Sequence, residues 1–348
     1  MMRVTTAIVF SLVTLQAAQP QYTATRDGDV VALSDRQSRM TVSVLTTVSN
    51  AYSVTVNGQQ ILRTPFASVD EFRAKPGLNG IPFLAPFANR LDETAFYANG
   101  KKYNFDPELG NVRGPIPIHG FLMNATDWTL VEARADGKAA WVTNRLEFYR
   151  NPQYMQQFPF AHTITMTYRL AGGALEVRTR LDNLSHEPMP VSIGFHPYFQ
   201  LTDSTRDEWT LSVGAKTHWL LAPNKIPTGE TQPTSKLLAD PLNVPLNGMS
   251  LDDGFSDLDR DAQGRGVVSI KGKTQQLDVL LGPKFKVVLV YLPPMPKDPS
   301  ARGSVAIEPM AAITNAMNLA HKGLYKELQT IPPNGSWQES FWIRPKGF

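Results

Sequence analysis

Apolar and polar side chains alternate with a period of two residues over much of this chain. The clearest case is residues 163–182, where two alternating runs flank the turn Ala171-Gly172-Gly173. Successive side chains of a strand point to opposite faces, so this pattern predicts a β-hairpin with one buried and one exposed face. The buried positions of this hairpin are predicted to be Ile164, Met166, Tyr168, Leu170, Leu175, Val177, Thr179 and Leu181.

Further strands are predicted at residues 286–291, 304–307 and 337–343, whereas helical patterning is confined to two short segments, residues 68–72 and 315–319. The 27 prolines and 24 glycines come at short intervals, which is typical of many short strands joined by turns. No repeat of fixed period and no low-complexity linker divides the chain. The sequence therefore predicts an all-β protein built as one large β-sandwich.

The N-terminus has the layout of a secretory signal peptide. Met1-Met2-Arg3 is a short basic start, an apolar run follows at residues 7–15, and small residues stand at Ala17-Ala18. The run is too short to span a bilayer. We expect residues 1–18 to be removed and residues 19–348 to form a single exported domain, periplasmic or extracellular, with no membrane association after cleavage. An apolar N-terminus on a cytosolic protein is the alternative.

Composition removes several classes of function. The absence of cysteine excludes disulfides, thiolate metal sites and cysteine nucleophiles. The 34 basic and 31 acidic residues give a net charge of +3 without a basic cluster, so nucleic acid is not an expected partner. The chain contains no His-Glu-x-x-His or EF-hand spacing and no phosphate-binding glycine-rich loop. We therefore expect neither a metal nor a cofactor.

Candidate chemistry is concentrated in short polar motifs within this β-rich chain. The motifs are Asn89-Arg90, His119-Gly120, His196-Pro197-Tyr198, Asp252-Asp253 and Glu308-Pro309. A proline disfavours the helical conformation of the residue before it, so His196 and Glu308 are biased to extended backbone. Proline also removes a ladder donor, so both positions are expected at strand ends or edges. Two imidazoles and a carboxylate indicate acid/base chemistry on a small polar substrate.

Each motif also has a structural interpretation. His196 could be a hydrogen-bonded structural histidine, His119 a turn residue, and Asn89-Arg90 a solvated loop pair. Asp252-Asp253 followed by glycine is an ordinary turn sequence. Glu308 is harder to explain in this way, because an acid that ends an apolar run needs a partner or water. The remaining histidines, at positions 162, 186, 218 and 321, are expected to be structural background.

In their order and spacing, these motifs resemble the aldose 1-epimerase (galactose mutarotase) family. Residues 82–90 are similar to the family segment that ends in Asn-Arg, and residues 96–105 are similar to the hairpin that follows. The resemblance extends from about Gly80 to the C-terminus. It implies a β-supersandwich fold, a small-molecule sugar as partner, and interconversion of the α and β anomers of a free aldose without a cofactor.

The resemblance also implies residue roles. Glu308 would be the general base and His196 the general acid, while Arg90, His119 and Asp252 would hold the sugar, with Asp253 as the alternative to Asp252. Asn89 and Tyr198 are expected to line the same site, and Phe255 is expected beside it. Near His196 and Asp252 the chain departs from the best-known galactose mutarotase pattern, so the sugar and the oligomeric state are left open.

Two other functions remain compatible with the motifs. One is a hexose-6-phosphate 1-epimerase, which would need extra basic residues beside the pocket and which export disfavours. The other is a carbohydrate-binding protein of mutarotase-like fold that has lost catalysis, which retention of His196 and Glu308 disfavours. Fold analogy alone does not decide among them.

Overall fold

The computed structural model describes residues 19–109, 112–113, 116–298 and 301–348, so the predicted signal segment lies outside the described residues. The first strands in chain order are β1 Tyr22–Asp27, β2 Val30–Asp35, β3 Met40–Leu45, β4 Asn50–Val56, β5 Gln59–Gln60, β6 Phe83–Leu84, β7 Ala95–Ala98, β8 Lys101–Asn104, β9 Val112–Arg113, β10 Ile116–Pro117, β11 Thr129–Ala135, β12 Ala140–Leu146, β13 His162–Ala171 and β14 Ala174–Asn183. The later strands are β15 Met189–Val191, β16 Gly194–Phe195, β17 Tyr198–Phe199, β18 Thr210–Val213, β19 Ala215–Leu221, β20 Pro227–Pro233, β21 Val244–Pro245, β22 Asp252–Leu258, β23 Gly266–Lys271, β24 Gln276–Leu281, β25 Val287–Tyr291, β26 Val305–Met310, β27 Gln329–Ile331 and β28 Ser336–Lys346.

Two large antiparallel sheets form the body of the molecule. A nine-stranded sheet runs in the order β11-β12-β13-β14-β28-β24-β23-β18-β21. An eight-stranded sheet runs β20-β19-β22-β25-β26-β16-β6, with β17 also pairing with β26. Their facing side chains share one hydrophobic core, in which Phe195 of one sheet packs on Phe341 of the other at a ring separation of 4.8 Å. The predicted all-β sandwich is confirmed.

The predicted hairpin is confirmed in detail. β13 pairs with β14 from His162↔Asn183 to Ala171↔Ala174, and all eight apolar-face positions of the prediction are buried. Each of the two strands has one buried and one more exposed face because its side chains alternate, as the sequence indicated. The expectation that residues 19–348 form a single domain stays a prediction.

Three short helices occur among the described residues: α1 Val69–Ala74, α2 Pro152–Gln157 and α3 Ala316–His321. The sequence predicted α1 and α3 but missed α2. Its start has a recognisable signal, because Asn151 accepts hydrogen bonds from the N–H groups of Gln153 and Tyr154, and proline occupies the first helical position. No helix in the described ranges is long and apolar enough to cross a membrane.

The part of the fold that carries the motifs is a break in the eight-stranded sheet. On one side of β26, Gly194 of β16 pairs with Met310 and Tyr198 of β17 pairs with Ala306, so the ladder is interrupted between them. His196 lies in this interruption, as the prediction of a strand end required. Alternation along the segment directs Phe195 into the core, so the neighbouring His196 faces the other way.

The expected position of Glu308 at a strand end or edge is wrong. Glu308 lies inside β26 and pairs with Leu289 of β25. The N–H of Ala311 donates to the carbonyl of Ile193, on the β16 side. Because N–H directions alternate along a strand, the nitrogen of Pro309 faces that same side. The register of Gly194↔Met310 and Tyr198↔Ala306 places Pro309 opposite Phe195, so its missing N–H leaves a ladder bond unmade and contributes to the interruption.

Candidate active site

A pocket of about 290 Å³ opens beside the break in the eight-stranded sheet. All seven predicted site residues line it, together with three that were not predicted; the lining is Leu78, Asn89, Arg90, Ile118, His119, His196, Tyr198, Asp252, Tyr291 and Glu308. The volume lies at the lower end of the range for small-molecule sites, which suits a ligand of few heavy atoms. The structure thus brings together motifs that are far apart in sequence.

His196 and Glu308 face each other at the base of this pocket. His196 Nε2 lies 3.0 Å from Glu308 Oε1, and the two residues are only 5% and 1% exposed. Within the described part of the chain, Glu308 Oε2 has no hydrogen-bond partner. A buried acceptor without a partner is costly to folding, so it is a position where a bound hydroxyl group would be favoured.

The environment of Glu308 disfavours its charge. Burial raises the pKa of the Glu308 carboxyl well above its ordinary value of 4.5, and the negative charge of Asp252 adds to this effect. The positive charge of Arg90 acts in the opposite direction on the same pKa. Because its pKa is raised, the ionised Glu308 carboxylate is a stronger base than an ordinary carboxylate.

His119 is held by the loop that carries Asn89. The N–H of His119 donates to the Asn89 carbonyl at 2.8 Å, and the N–H of Asn89 donates to His119 Nδ1 at 3.2 Å. Because Nδ1 accepts, the neutral ring of His119 carries its proton on Nε2. The ring stands edge-on to His196 with the two centroids 5.3 Å apart. His119 is therefore a preorganised hydrogen-bond donor in the pocket.

The hydrogen bonds between Asn89 and His119 depend on left-handed backbone at Asn89, His119 and Gly120, whose φ angles are 55°, 64° and 61°. Asparagine and glycine adopt this region readily, whereas histidine does so less often. A side chain at Gly120 would also overlap the Ala85 carbonyl, which lies against it. The residue after His119 is thus restricted to glycine.

Arg90 and Asp252 form the polar wall. Arg90 Nη2 lies 3.7 Å from Asp252 Oδ2, and Asn89 Oδ1 accepts hydrogen bonds from both the backbone N–H and Nη1 of Arg90 at 2.9 Å. The guanidinium is therefore fixed by the amide of its neighbour. Asp252, and not Asp253, lines the pocket, and the role of Asp252 as the sugar ligand stays a prediction.

Aromatic side chains form the remaining wall. The ring centroids of Tyr198 and His196 are 4.7 Å apart. Tyr291 approaches Tyr198 nearly edge-on, with 6.3 Å between their ring centroids. Arg63 covers the Tyr198 ring, with its guanidinium carbon 4.0 Å from the centroid. Sequence reasoning missed Tyr291, Leu78 and Ile118. Ile118 adjoins a recognised histidine, and Tyr291 ends a predicted strand, but only its pairing with Asp252 brings it to the site.

One expectation about a nearby residue is wrong. Phe255 does not line the pocket but is fully buried in the core, because it lies three residues after Asp252 and so on the opposite face of β22. His218, which was expected to be structural, lies outside the pocket lining with its Nε2 2.9 Å from Asp253 Oδ1.

No group of three or more His, Asp or Glu residues is placed to hold a metal ion in the described ranges. Metal- and cofactor-free chemistry stays a prediction. What the arrangement offers is a proton acceptor, an imidazole beside it, and donors and acceptors fixed around a small polar space.

Comparisons with known proteins bear on the fold and on the family. Among solved structures, the chain is similar to a galactose mutarotase-like protein from Clostridium acetobutylicum, with a TM-score of 0.78 and 21% identity over 94% of this chain and 98% of that one. It is also similar to galactose 1-epimerase from Lactobacillus acidophilus, with a TM-score of 0.71 and 13% identity over 94% and 98% of the two chains. These likenesses establish the fold.

A curated relative, the protein YphB of Escherichia coli, is 25% identical over 137 residues, which is 39% of this chain and 41% of the relative. That match therefore spans less than half of either protein. A family model described as aldose 1-epimerase matches residues 29–344, nearly the whole described chain. On this evidence the chain belongs to the aldose 1-epimerase family.

Proposed function

We propose that this protein is an aldose 1-epimerase, which interconverts the α and β anomers of a free aldose by opening and reclosing the sugar ring. The observation that carries the proposal is the His196–Glu308 pair, 3.0 Å apart in a pocket of monosaccharide scale. The anomeric oxygen and the ring oxygen of a pyranose are attached to the same carbon. A base and an acid that serve both oxygens must therefore lie side by side, as these two groups do.

Before the reaction, the pair must hold one transferable proton, which is on His196, while Glu308 is ionised. Glu308 removes the proton of the anomeric hydroxyl, the lone pair on that oxygen forms the C1=O bond, and the C1–ring-oxygen bond breaks. The released electron pair stays on the ring oxygen, which takes a proton from His196. Rotation about C1–C2 presents the other face of the aldehyde, and the two proton transfers run in reverse as the ring closes. Each transfer by a positioned group typically accelerates a reaction by about 10²–10⁴-fold.

The other residues that line the pocket supply binding groups. His119 offers its Nε2 proton to the ring oxygen or a neighbouring hydroxyl, and Arg90 offers a rigid set of donors. Asp252 accepts from sugar hydroxyls, and Tyr198 and Tyr291 provide apolar faces for C–H groups of the pyranose. Asn89 acts on the sugar through the guanidinium that it holds. Arg90, the one arginine among the pocket-lining residues, is already engaged by Asn89 and Asp252, so a phosphate would have to rely on Arg63, which is stacked on Tyr198.

Polarimetry of freshly dissolved α-glucose and α-galactose tests the proposal. The purified protein is expected to shorten the approach to anomeric equilibrium relative to buffer on at least one of them. Glucose-6-phosphate is included as a parallel substrate, and acceleration of that sugar alone would indicate the phosphate-specific function. Binding of a sugar without acceleration on any common aldose would contradict catalysis and favour a binding protein.

A further inference from the structure

Asp252 and its neighbour Asp253 occupy the start of β22 and face opposite ways. Asp252 lines the pocket, 3.7 Å from Arg90. Asp253 faces β19, where the imidazole of His218 lies 2.9 Å from its Oδ1 atom. His218 is only 5% exposed and does not line the pocket. A buried, hydrogen-bonded histidine directly behind a binding residue therefore needs an explanation that the sugar contacts do not provide.

The Asp253 carboxylate also ties the backbone of Asp252. Its Oδ2 atom accepts the Asp252 N–H at 3.0 Å. β19 pairs with β22 only as far as His218↔Phe255, so its ladder does not extend to Asp252. The carboxylate takes the place of the missing ladder acceptor. Burial alone would raise the pKa of Asp253, but the hydrogen bonds from His218 and from the Asp252 N–H lower it overall, so Asp253 is an ionised acceptor.

A third strand fixes the direction of the His218 proton. The amide nitrogen of Gln232, in β20, lies 3.1 Å from His218 Nδ1. An amide NH₂ group only donates, so Nδ1 accepts and the neutral ring carries its proton on Nε2, toward Asp253. The contacts thus run from Gln232 to His218 to Asp253, and Asp253 holds the Asp252 N–H.

We infer that Gln232, His218 and Asp253 form a positioning unit that holds Asp252 in its pocket orientation. The unit touches no substrate and acts only through Asp252. Without the His218 donor, the Asp253 carboxylate is free to turn, and the first residue of β22 loses its tie. Asp252 would then be less well placed against Arg90 and against a sugar hydroxyl. This catalytic consequence rests on the proposed function.

Substitution of His218 separates positioning from packing. His218→Leu removes the donor, whereas the amide of His218→Gln can reach Asp253 in place of Nε2. We expect His218→Leu to raise KM for the preferred sugar about 5–10-fold, within the loss typical of one hydrogen bond, with kcat changed less than about threefold. His218→Gln is expected to stay within about twofold of wild type. His162→Leu, which removes another buried imidazole away from the pocket, is the matched control and should leave KM unchanged.

A double-mutant cycle then tests whether His218 acts through Asp252. In an Asp252→Asn background, His218→Leu should change KM by less than about twofold, because the group that it positions is already altered. An equal effect of His218→Leu in both backgrounds would show that it acts by another route and would overturn the inference. If His218→Leu does not fold, His218→Asn, whose shorter amide cannot reach Asp253, carries the same expectations.

Crystal structures of the wild-type and His218→Leu proteins without sugar provide a test independent of activity. The Asp252 carboxylate is expected to move by about 1 Å or more relative to Arg90, a displacement large enough to matter in a site of this kind. An unchanged Asp252 would overturn the inference. If the wild-type protein does not accelerate mutarotation, the proposed function fails, and this structural comparison still decides whether the unit positions Asp252.

Discussion

At the scale of single residues, Glu308 is a carboxyl group that the fold keeps in an unfavourable setting. It is almost fully buried, one of its oxygens has no partner within the described residues, and Asp252 adds a second negative charge nearby. Such a group lowers the stability of the folded protein when it is ionised. An exchange of stability for a poised proton acceptor is common where a side chain performs chemistry.

This setting predicts that Glu308→Gln stabilises the protein at pH values above the unfolded pKa of the Glu308 carboxyl group. A carboxyl group whose pKa is higher in the folded state contributes stability below its unfolded pKa, and this contribution is lost as pH rises through the folded pKa. The neutral amide avoids that loss, by about 1.4 kcal/mol for each unit of difference between the two pKa values. Scanning calorimetry should therefore show a higher Tm for Glu308→Gln than for wild type at pH 8, with the difference shrinking toward pH 4.5. Glu230→Gln, at an exposed position, is the control, and a lower Tm for Glu308→Gln at pH 8 would contradict this interpretation.

The charges around Glu308 make a second prediction, on the pH dependence of activity. Removing the negative charge with Asp252→Asn should lower the pKa of Glu308, so the acid limb of the kcat/KM profile should move to lower pH. Removing the positive charge with Arg90→Met should move the same limb to higher pH. Both variants are expected to lose affinity, but the limb position is independent of the size of that loss. Shifts in the same direction for both variants would count against Glu308 as the base.

At the scale of elements, the site depends on an interrupted ladder and a left-handed loop. The gap between β16 and β17 places His196 beside the middle of β26, where Glu308 lies. The paired loops around Asn89 and His119 direct the second histidine at the first. These are tertiary arrangements of short segments, and the backbone conformation of each restricts which residues it can contain.

Gly120→Ala tests the loop. The positive φ and the adjacent Ala85 carbonyl leave no room for a methyl group, so we expect a loss of more than about 2 kcal/mol of folding free energy, with lower activity as His119 shifts. Gly137→Ala is the matched control, because its added methyl meets nothing within 4 Å and its backbone is unstrained. In urea denaturation this control should leave the free energy of unfolding unchanged or raise it by up to about 1 kcal/mol. Equal stability of the two variants would show that the loop tolerates a side chain.

Some strand and site positions could be predicted from the sequence, and others could not. Period-two alternation predicted the β13–β14 hairpin and its buried face because that signal is local. The strand position of Glu308 could not be derived, since one sequence does not reveal that Pro309 lies beside an interruption of the ladder between β26 and the distant segment 194–199. Tyr291 reaches the site through cross-strand pairing with Asp252, which one sequence does not reveal. The error on Phe255 was avoidable, because residues three apart on a strand point to opposite faces.

At the scale of the whole molecule, one core between two large sheets supports a site built from residues 78 to 308. Solved structures with 13–21% identity share this fold, so the sandwich persists while most side chains differ. The motifs were identifiable from sequence because the pocket needs particular side chains at fixed places. Residues that contact the neighbours of the pocket residues, such as His218, were not identifiable from sequence, because their role depends on packing.

The predicted signal segment makes a whole-molecule prediction about location. Expressed in a Gram-negative host, the full chain should appear in the periplasm or medium with a mature N-terminus near residue 19. Intact mass and N-terminal sequencing measure the cleavage. Replacing Val9 and Leu12 by arginine, which interrupts the apolar run, should keep the chain uncleaved in the cytoplasm. An uncleaved wild-type chain in the cytoplasm would favour the cytosolic alternative.

The most direct test of the central claim is polarimetry of the preferred α-aldose with wild type, His196→Asn, Glu308→Gln and the double variant, each confirmed to be folded. If the pair is one acid/base unit, each single variant should lose about 10²–10⁴-fold in kcat, and the double variant should be little worse than either single one. Wild-type rates in either single variant would contradict the assignment of ring opening to these two residues.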